Sequence, residues 1–255
     1  MTRKRAKPVA LFIGDLHCGS DSAPAPVSHI TNRNQTWLLE KLKDVKKRVT
    51  AIAKTKPIAV MLGGDLIEGH HHSALQVWGN FKGQRDAAVE LLMPFANIAT
   101  WLLALPGTDA HAGDDGEHDR TVAEELGADI HDAQRMVELG GRLIDWAHHG
   151  ISVGGHEWTE ENGLISVVRD VYSYARNEGL RVPDLIISHH AHYSPHPVVI
   201  RGITAAICPC WQLQTPHGAK IKPRRRPTIG AALYDTETGL IDLWTYAQAQ
   251  SVTHL

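Results

Sequence analysis

Five short motifs built from Asp and His constrain this chain most, because each stands behind an apolar run. In order they are Gly14-Asp15-Leu16-His17, Gly64-Asp65, Gly107-Thr108 followed by His111, His148-His149-Gly150, and His190-Ala191-His192. Short apolar runs bounded by Gly and polar residues read as buried strands. Acids and imidazoles at the ends of such strands emerge together at one edge of a sheet, where α/β folds place their chemistry. The bland alternative, structural histidines in a stable core, is disfavoured by Asp15 and Asp65. Two carboxylates buried without compensation are costly.

Between the motifs, strands alternate with helices. Residues 9–13, 58–62, 142–147 and 184–187 read as strands that lead into Asp15, Asp65, His148-His149 and His190. Residues 31–54 carry Trp37, Leu38, Leu42, Val45, Val49 and Ile52 at helical spacing, with Lys and Arg opposite, which predicts an amphipathic helix. Further helices are expected over 84–103, kinked at Pro94, over 119–126, and over 158–178. Glu117 and Asp119 fit the start of the third as acids facing a helix dipole. From residue 198 the pattern turns strand-rich, with strands over 198–203, 228–234 and 240–246, the last two joined as a hairpin. The loop 20–26 is expected to run over the surface near the Asp/His edge. His70, His71 and His72 read as exposed loop side chains, with substrate contact as the alternative.

A chain of 255 residues with 43% hydrophobic content suffices for one α/β domain spanning 1–255 and lacks the polar bias of a disordered protein. Its net charge of −2 argues against coating on polyanions, so any nucleic-acid contact must come from a local patch. The three cysteines make no disulfide framework. Cys18, Cys208 and Cys210 read as small packing residues rather than a zinc site. The apolar run after the basic N-terminus leads straight into Asp15, so it reads as a strand and not a secretory signal. No segment reaches the roughly 18 uninterrupted apolar residues of a membrane span. A soluble, cytoplasmic protein is expected.

The motif order Asp-x-His, Gly-Asp, a Gly-to-His loop, His-Gly and His-x-His resembles the calcineurin-like metallophosphoesterases over most of the chain. The Gly107-Thr108-x-x-His111 loop and His148-His149-Gly150 followed by Trp158-Thr159 further resemble versions of that domain found in phages and prophages. The resemblance implies a two-sheet β-sandwich flanked by helices and a pair of divalent ions at one edge. Asp15, His17 and His192 then match ligands of the first ion, Asp65 the bridging carboxylate, and His149 and His190 ligands of the second. His148 is the alternative to His149, since neighbours on a strand point to opposite faces. Carboxylate with imidazole suits Mn²⁺ first, then Fe²⁺ or Zn²⁺, whereas an all-oxygen set would favour Mg²⁺ or Ca²⁺. Two ions about 3.5–4 Å apart can activate a hydroxide and clamp phosphoryl oxygens.

The third motif departs from the family, which has Gly-Asn-His. The Asn ligand is missing, and Thr108, Asp109, His111 or a water is left to replace it. His111 is otherwise expected to act on the leaving group. These expectations amount to a metal-dependent phosphoesterase that prefers phosphodiesters, nucleic acid among the candidates. A phosphomonoesterase and a one-metal scaffold that binds nucleic acid or a partner without cutting are the alternatives. The basic cluster Lys220, Lys222, Arg224, Arg225 and Arg226, held extended by Pro223 and Pro227, could track a phosphate backbone, with Trp211 and His217 stacking on bases. A solvated loop or an oligomer contact explains it equally.

Overall fold

Phe12, Ala10, Ala59 and Met61 alternate along their strands with Leu11, Ile13, Val60 and Leu62, and all are buried. Continuous apolar runs of this kind need cover on both faces of a sheet. The computed structural model, which describes residues 6–70, 76–153, 159–221 and 225–248, supplies it. One six-stranded sheet has the order β11-β10-β1-β2-β3-β4. It is built from β1 (Val9–Ile13), β2 (Ile58–Leu62), β3 (Trp101–Ala104), β4 (Asp129–Ile130), β10 (Ile229–Asp235) and β11 (Leu240–Tyr246). The second, five-stranded, has the order β5-β6-β7-β9-β8, from β5 (Gln134–Leu139), β6 (Arg142–Ala147), β7 (Leu185–Ser188), β8 (Val198–Ile200) and β9 (Ile203–Ile207).

The two inner faces make one core. Ala10, Phe12, Ala59, Met61, Ala232 and Tyr234 from the first sheet meet Ile144, Trp146, Leu185, Ile187 and Ala206 from the second. Alanines opposite Trp146, Tyr234 and Phe12 let large and small side chains interdigitate. Helices α1 (Arg33–Ala53), α2 (Phe81–Ala96) and α4 (Glu117–Leu126) cover the outer face of the first sheet through Leu38, Leu42, Val45, Leu92, Phe95 and Val122. Helix α5 (Asn162–Asn177) covers the second sheet, with Leu164 and Val168 against Ile186, Ile203 and Ala205. Burial of each such aliphatic side chain is worth about 1.5–3 kcal/mol. The result is a mixed α/β sandwich of two sheets between helical layers, as expected from the sequence.

Several element boundaries differ from the sequence reading. The helix expected over 84–103 begins at Phe81 and runs through Pro94 to end at Ala96. Trp101–Ala104 is instead β3, paired in parallel with β2. The strand expected over 198–203 is a hairpin, β8 and β9, turning at Arg201-Gly202, both with positive φ. Strands β4 and β5 had no distinct apolar signature, their side chains being largely exposed. No helix among the described residues is long and apolar enough to cross a membrane. All three cysteines are free and buried.

Parallel pairing decides where the motifs end up. β1, β2 and β3 run parallel, as do β6, β7 and β9, so their C-terminal ends gather at one edge of each sheet. The motif loops of β1 and β2 remain tied beyond the strands, with Asp15 N donating to Gly64 O at 2.9 Å and His17 N to Asp65 O at 3.0 Å.

Candidate metal centre

The motif residues meet at that edge. Their ring nitrogens and carboxylate oxygens form four overlapping groups, each within 4.8 Å: Asp15 with His17 and His192; Asp15 with Asp65 and His148; His17 with Asp65 and His111; and His148 with His149 and His190. The first sheet thus supplies Asp15, His17, Asp65 and His111, and the second His148, His149, His190 and His192. Of the seven non-glycine residues with positive φ among the described ones, five are Asp15 (51°), His17 (50°), Asp65 (48°), His190 (63°) and His192 (60°). Left-handed backbone is uncommon outside glycine, though Asp and His are among the residues that tolerate it best. Its concentration here marks a site whose surroundings hold strained loops in place.

Both carboxylates are fully buried. Burial alone would raise Asp15, but the imidazoles of His189 and His192 outweigh it and hold the acid well below the usual carboxylate range. Burial likewise opposes ionisation of Asp65, and His148 and His190 overcome it. Asp65 Oδ2 lies 3.3 Å from His148 Nε2 and 3.8 Å from His190 Nδ1. His192 Nε2 lies 3.6 Å from Asp15 Oδ1, and His17 Nε2 faces His192 Nε2 at 3.1 Å. Burial also works against the charged form of His148, yet Asp65 lifts its pKa to about 9.

The donor set fits divalent cations. Among the described residues, the buried Asp65 Oδ2 and His148 Nε2 have no hydrogen bond beyond the 3.3 Å ion pair they make with each other, so their remaining capacity faces the cluster. Several of these side chains are also oriented from behind, as imidazoles that bind metal usually are. His148 Nδ1 donates to Gly63 O at 2.5 Å and His111 Nδ1 to Glu68 O at 2.7 Å, which turns each Nε2 toward the cluster. His17 Nδ1 faces the buried Glu68 at 3.1 Å, and Glu68 accepts from Gln212 Nε2 at 2.7 Å.

The neighbours His148 and His149 do not point to opposite faces. Strand β6 ends at Ala147, so the alternation rule no longer applies to them, and both rings join His190. His148 is buried against Asp65, while His149 is exposed. Thr108 spends itself on Asp65, donating from its backbone N at 2.7 Å and its Oγ1 at 3.0 Å to Oδ1. Asp109 is exposed in the short helix α3 (Asp109–Ala112). Among the three side chains considered for the missing Asn, His111 is the one that enters a ligand group.

Asp119, read as a helix-dipole acid, does stand in the first turn of α4, and it has a second role. It is buried, accepting from Leu66 N at 3.1 Å and Gly107 N at 2.9 Å, so it ties the loops after β2 and β3 together. Burial, then the nearby charge of Asp65, pushes its pKa up to about 7. Glu68, Gln212, Asp119 and His189 support the centre without belonging to a recognisable motif. Only the spacing of Glu68, three residues past Asp65 in an apolar stretch, offered a signal.

Of the basic cluster, Lys220, Arg225 and Arg226 are described and differ in their surroundings. Lys220 lies in the helix α6 (Pro216–Ile221), and Arg225 is paired with Glu160 and sits over Tyr193. Lys220 and Arg226 are exposed. Trp211 is buried in the core beside Tyr246 and cannot stack on a base. Lys222, Arg224, Trp158, His71 and His72, and the side chain of His217, lie outside the described residues. His70 is exposed as expected, with its ring stacked on Phe81 at 4.2 Å.

The sequence matches no protein-family model and no curated protein. Among solved structures, the chain is similar to an archaeal phosphodiesterase at 10% identity, over 93% of this chain and 99% of that one, with a TM-score of 0.49. It is similar to Vps29 from Entamoeba histolytica at 15% identity, over 88% and 84%, with a TM-score of 0.42. A third is the 5'-nucleotidase from Candida albicans, at 9% identity over 94% of this chain and 51% of that one, with a TM-score of 0.37. All three are distant likenesses of backbone path.

Proposed function

We propose that the chain, as one domain, is a metal-dependent phosphoesterase of the calcineurin-like kind that hydrolyses phosphodiesters in preference to monoesters. The observation that carries this reading is the meeting of two buried, ionised carboxylates with imidazoles from both sheets in overlapping ligand groups. Asp15, His17 and His192 would hold one ion, Asp65 would be shared with a second, and His190 with the His148-His149 pair would complete that second site. His148 is the better placed of that pair, being buried against Asp65 and oriented by Gly63 O. When bound, such ions supply Lewis acidity toward phosphoryl oxygens and make water more acidic. The chain's own residues do the rest. Thr108 fixes Asp65 through Oδ1 and leaves Oδ2 facing the histidines. His111 donates Nδ1–H to Glu68 O, so it would serve the leaving oxygen as the imidazolium, giving it the second proton from Nε2.

The test is metal analysis of the purified protein together with turnover of bis- and mono-nitrophenyl phosphate under Mn²⁺. Two ions per chain and faster diester turnover are expected. One ion and no turnover would favour the scaffold reading that the loss of the Asn ligand suggests.

A further inference from the structure

His189 belongs to none of the motifs, yet its ring is fully buried among them. It fills a slot opened by two glycines, since a Cβ on Gly14 or Gly63 would collide with the imidazole. Gly14 precedes Asp15 at the end of β1, and Gly63 opens the Asp65 loop at the end of β2, so the ring lies against both carboxylate loops. Trp146 on β6, also fully buried, donates its indole Nε1–H to His189 Nε2 at 3.2 Å. An indole N–H can only donate, so Nε2 carries the lone pair and the ring proton sits on Nδ1. Among the described residues that N–H has no hydrogen-bond partner, and it faces Asp15 Oδ2 at 3.6 Å. A carboxylate shift of roughly half an ångström closes the gap to an ordinary hydrogen bond.

We propose that Trp146 and His189 form a relay that positions Asp15. The indole fixes the tautomer of His189, and His189 Nδ1–H holds one Asp15 oxygen in its ligating orientation. The inference rests on the reading of Asp15 as a metal ligand. The same short segment also grips the carboxylate from the backbone, with His190 N donating to Oδ1 at 3.0 Å and Oδ2 at 3.1 Å. Simple space-filling does not account for the ring. An apolar side chain would fill the slot without leaving a buried N–H to satisfy, and such groups are costly unless paired. His189 is therefore a positioning residue, acting through Asp15 rather than on substrate.

The experiment is Mn²⁺ titration by calorimetry of the wild type, His189→Leu, His189→Gln and Trp146→Phe, with melting of each metal-free variant alongside. Leu removes the donor, and the affinity for one of the two ions should fall by roughly 10–100-fold, the other staying unchanged. Gln can accept from Trp146 and donate to Asp15, so it should restore that ion. Trp146→Phe should weaken the same ion in part. Wild-type-like binding of both ions by His189→Leu overturns the relay, as does equal impairment of both ions by Leu and Gln. If His189→Leu fails to fold, unchanged Mn²⁺ binding by Trp146→Phe overturns it. A wild type that binds no Mn²⁺ overturns this inference and the phosphoesterase reading together. Mn²⁺-dependent turnover in both wild type and an equally tight-binding His189→Leu overturns the relay alone.

Discussion

Asp65 is the residue on which the centre turns: its Oδ1 is held by Thr108 and its Oδ2 lies between His148 and His190. Asp65→Asn is expected to abolish turnover and lower the content of both ions, with retained metal and activity refuting the bridge. His111→Ala should lower turnover by about 10²–10⁴-fold with metal content intact, and loss of a metal equivalent would make it a ligand instead. The pH dependence of the metal-free protein follows from His148. Its pKa in the fold, about 9, lies above the ordinary 6.5, so its contribution to stability is complete below pH 6.5 and is lost as pH rises through 9. Asp119, raised from 3.8 to about 7, acts in the same direction over that lower window. The melting temperature in chelator should therefore fall between pH 6.5 and 9, and a His148→Gln variant should flatten that slope. Metal binding must displace the His148 proton, so Mn²⁺ affinity should rise over the same range. At this scale the sequence was most legible, because Asp and His at strand ends are rare and ordered. Asp119 and Gln212 were not, since a residue that orients another through space leaves no spacing to read.

The helices and strands illustrate the same limit from another side. Strands β1 and β2 coincide with their apolar runs, because a strand buried on both faces leaves little room for polar residues. Helix α2 and strand β3 were merged in the sequence reading, since an apolar run of mixed period does not distinguish a helix from a strand that follows it within five residues. Edge strands such as β5 were missed because exposed positions carry no hydrophobic signal. Helix α1 shows how much one terminal side chain contributes. Asn32 accepts from Asn34 N at 2.9 Å and Gln35 N at 3.1 Å, while its Nδ2 donates to Asp21 O at 3.0 Å. Asn32→Ala should cost about 1 kcal/mol from the lost cap and free the loop before the helix. Chemical denaturation measures it, and turnover should remain, because none of the ligand groups includes this helix.

Across the whole molecule, the charge pattern separates two roles within the basic segment. Arg225, paired with Glu160, is structural, and Arg225→Ala should lower the melting temperature without a selective effect on polynucleotides. Exposed Lys220 and Arg226 are free of that constraint. Their joint replacement by Ala should weaken single-stranded DNA or RNA binding and reduce its salt slope, since fewer counterions are then released. Bis-nitrophenyl phosphate turnover should not change. Equal losses on polymer and small diester would remove nucleic acid from the substrate class and leave the phosphoesterase reading in place. The segment's local structure was hidden from the sequence because charge density reports neither an ion pair with a distant Glu160 nor the burial of Trp211. The division of the centre between two sheets has a further consequence for how the protein is made. Its first ligand lies at position 15 and its last at 192, and the last is tied in turn to Thr228 N through a backbone carbonyl. A chain emerging from the ribosome therefore passes through most of its synthesis with an incomplete set of ligands. On the ligand set proposed above, metal capture comes late, as a chemical seal that closes only on molecules whose two halves have already docked in register.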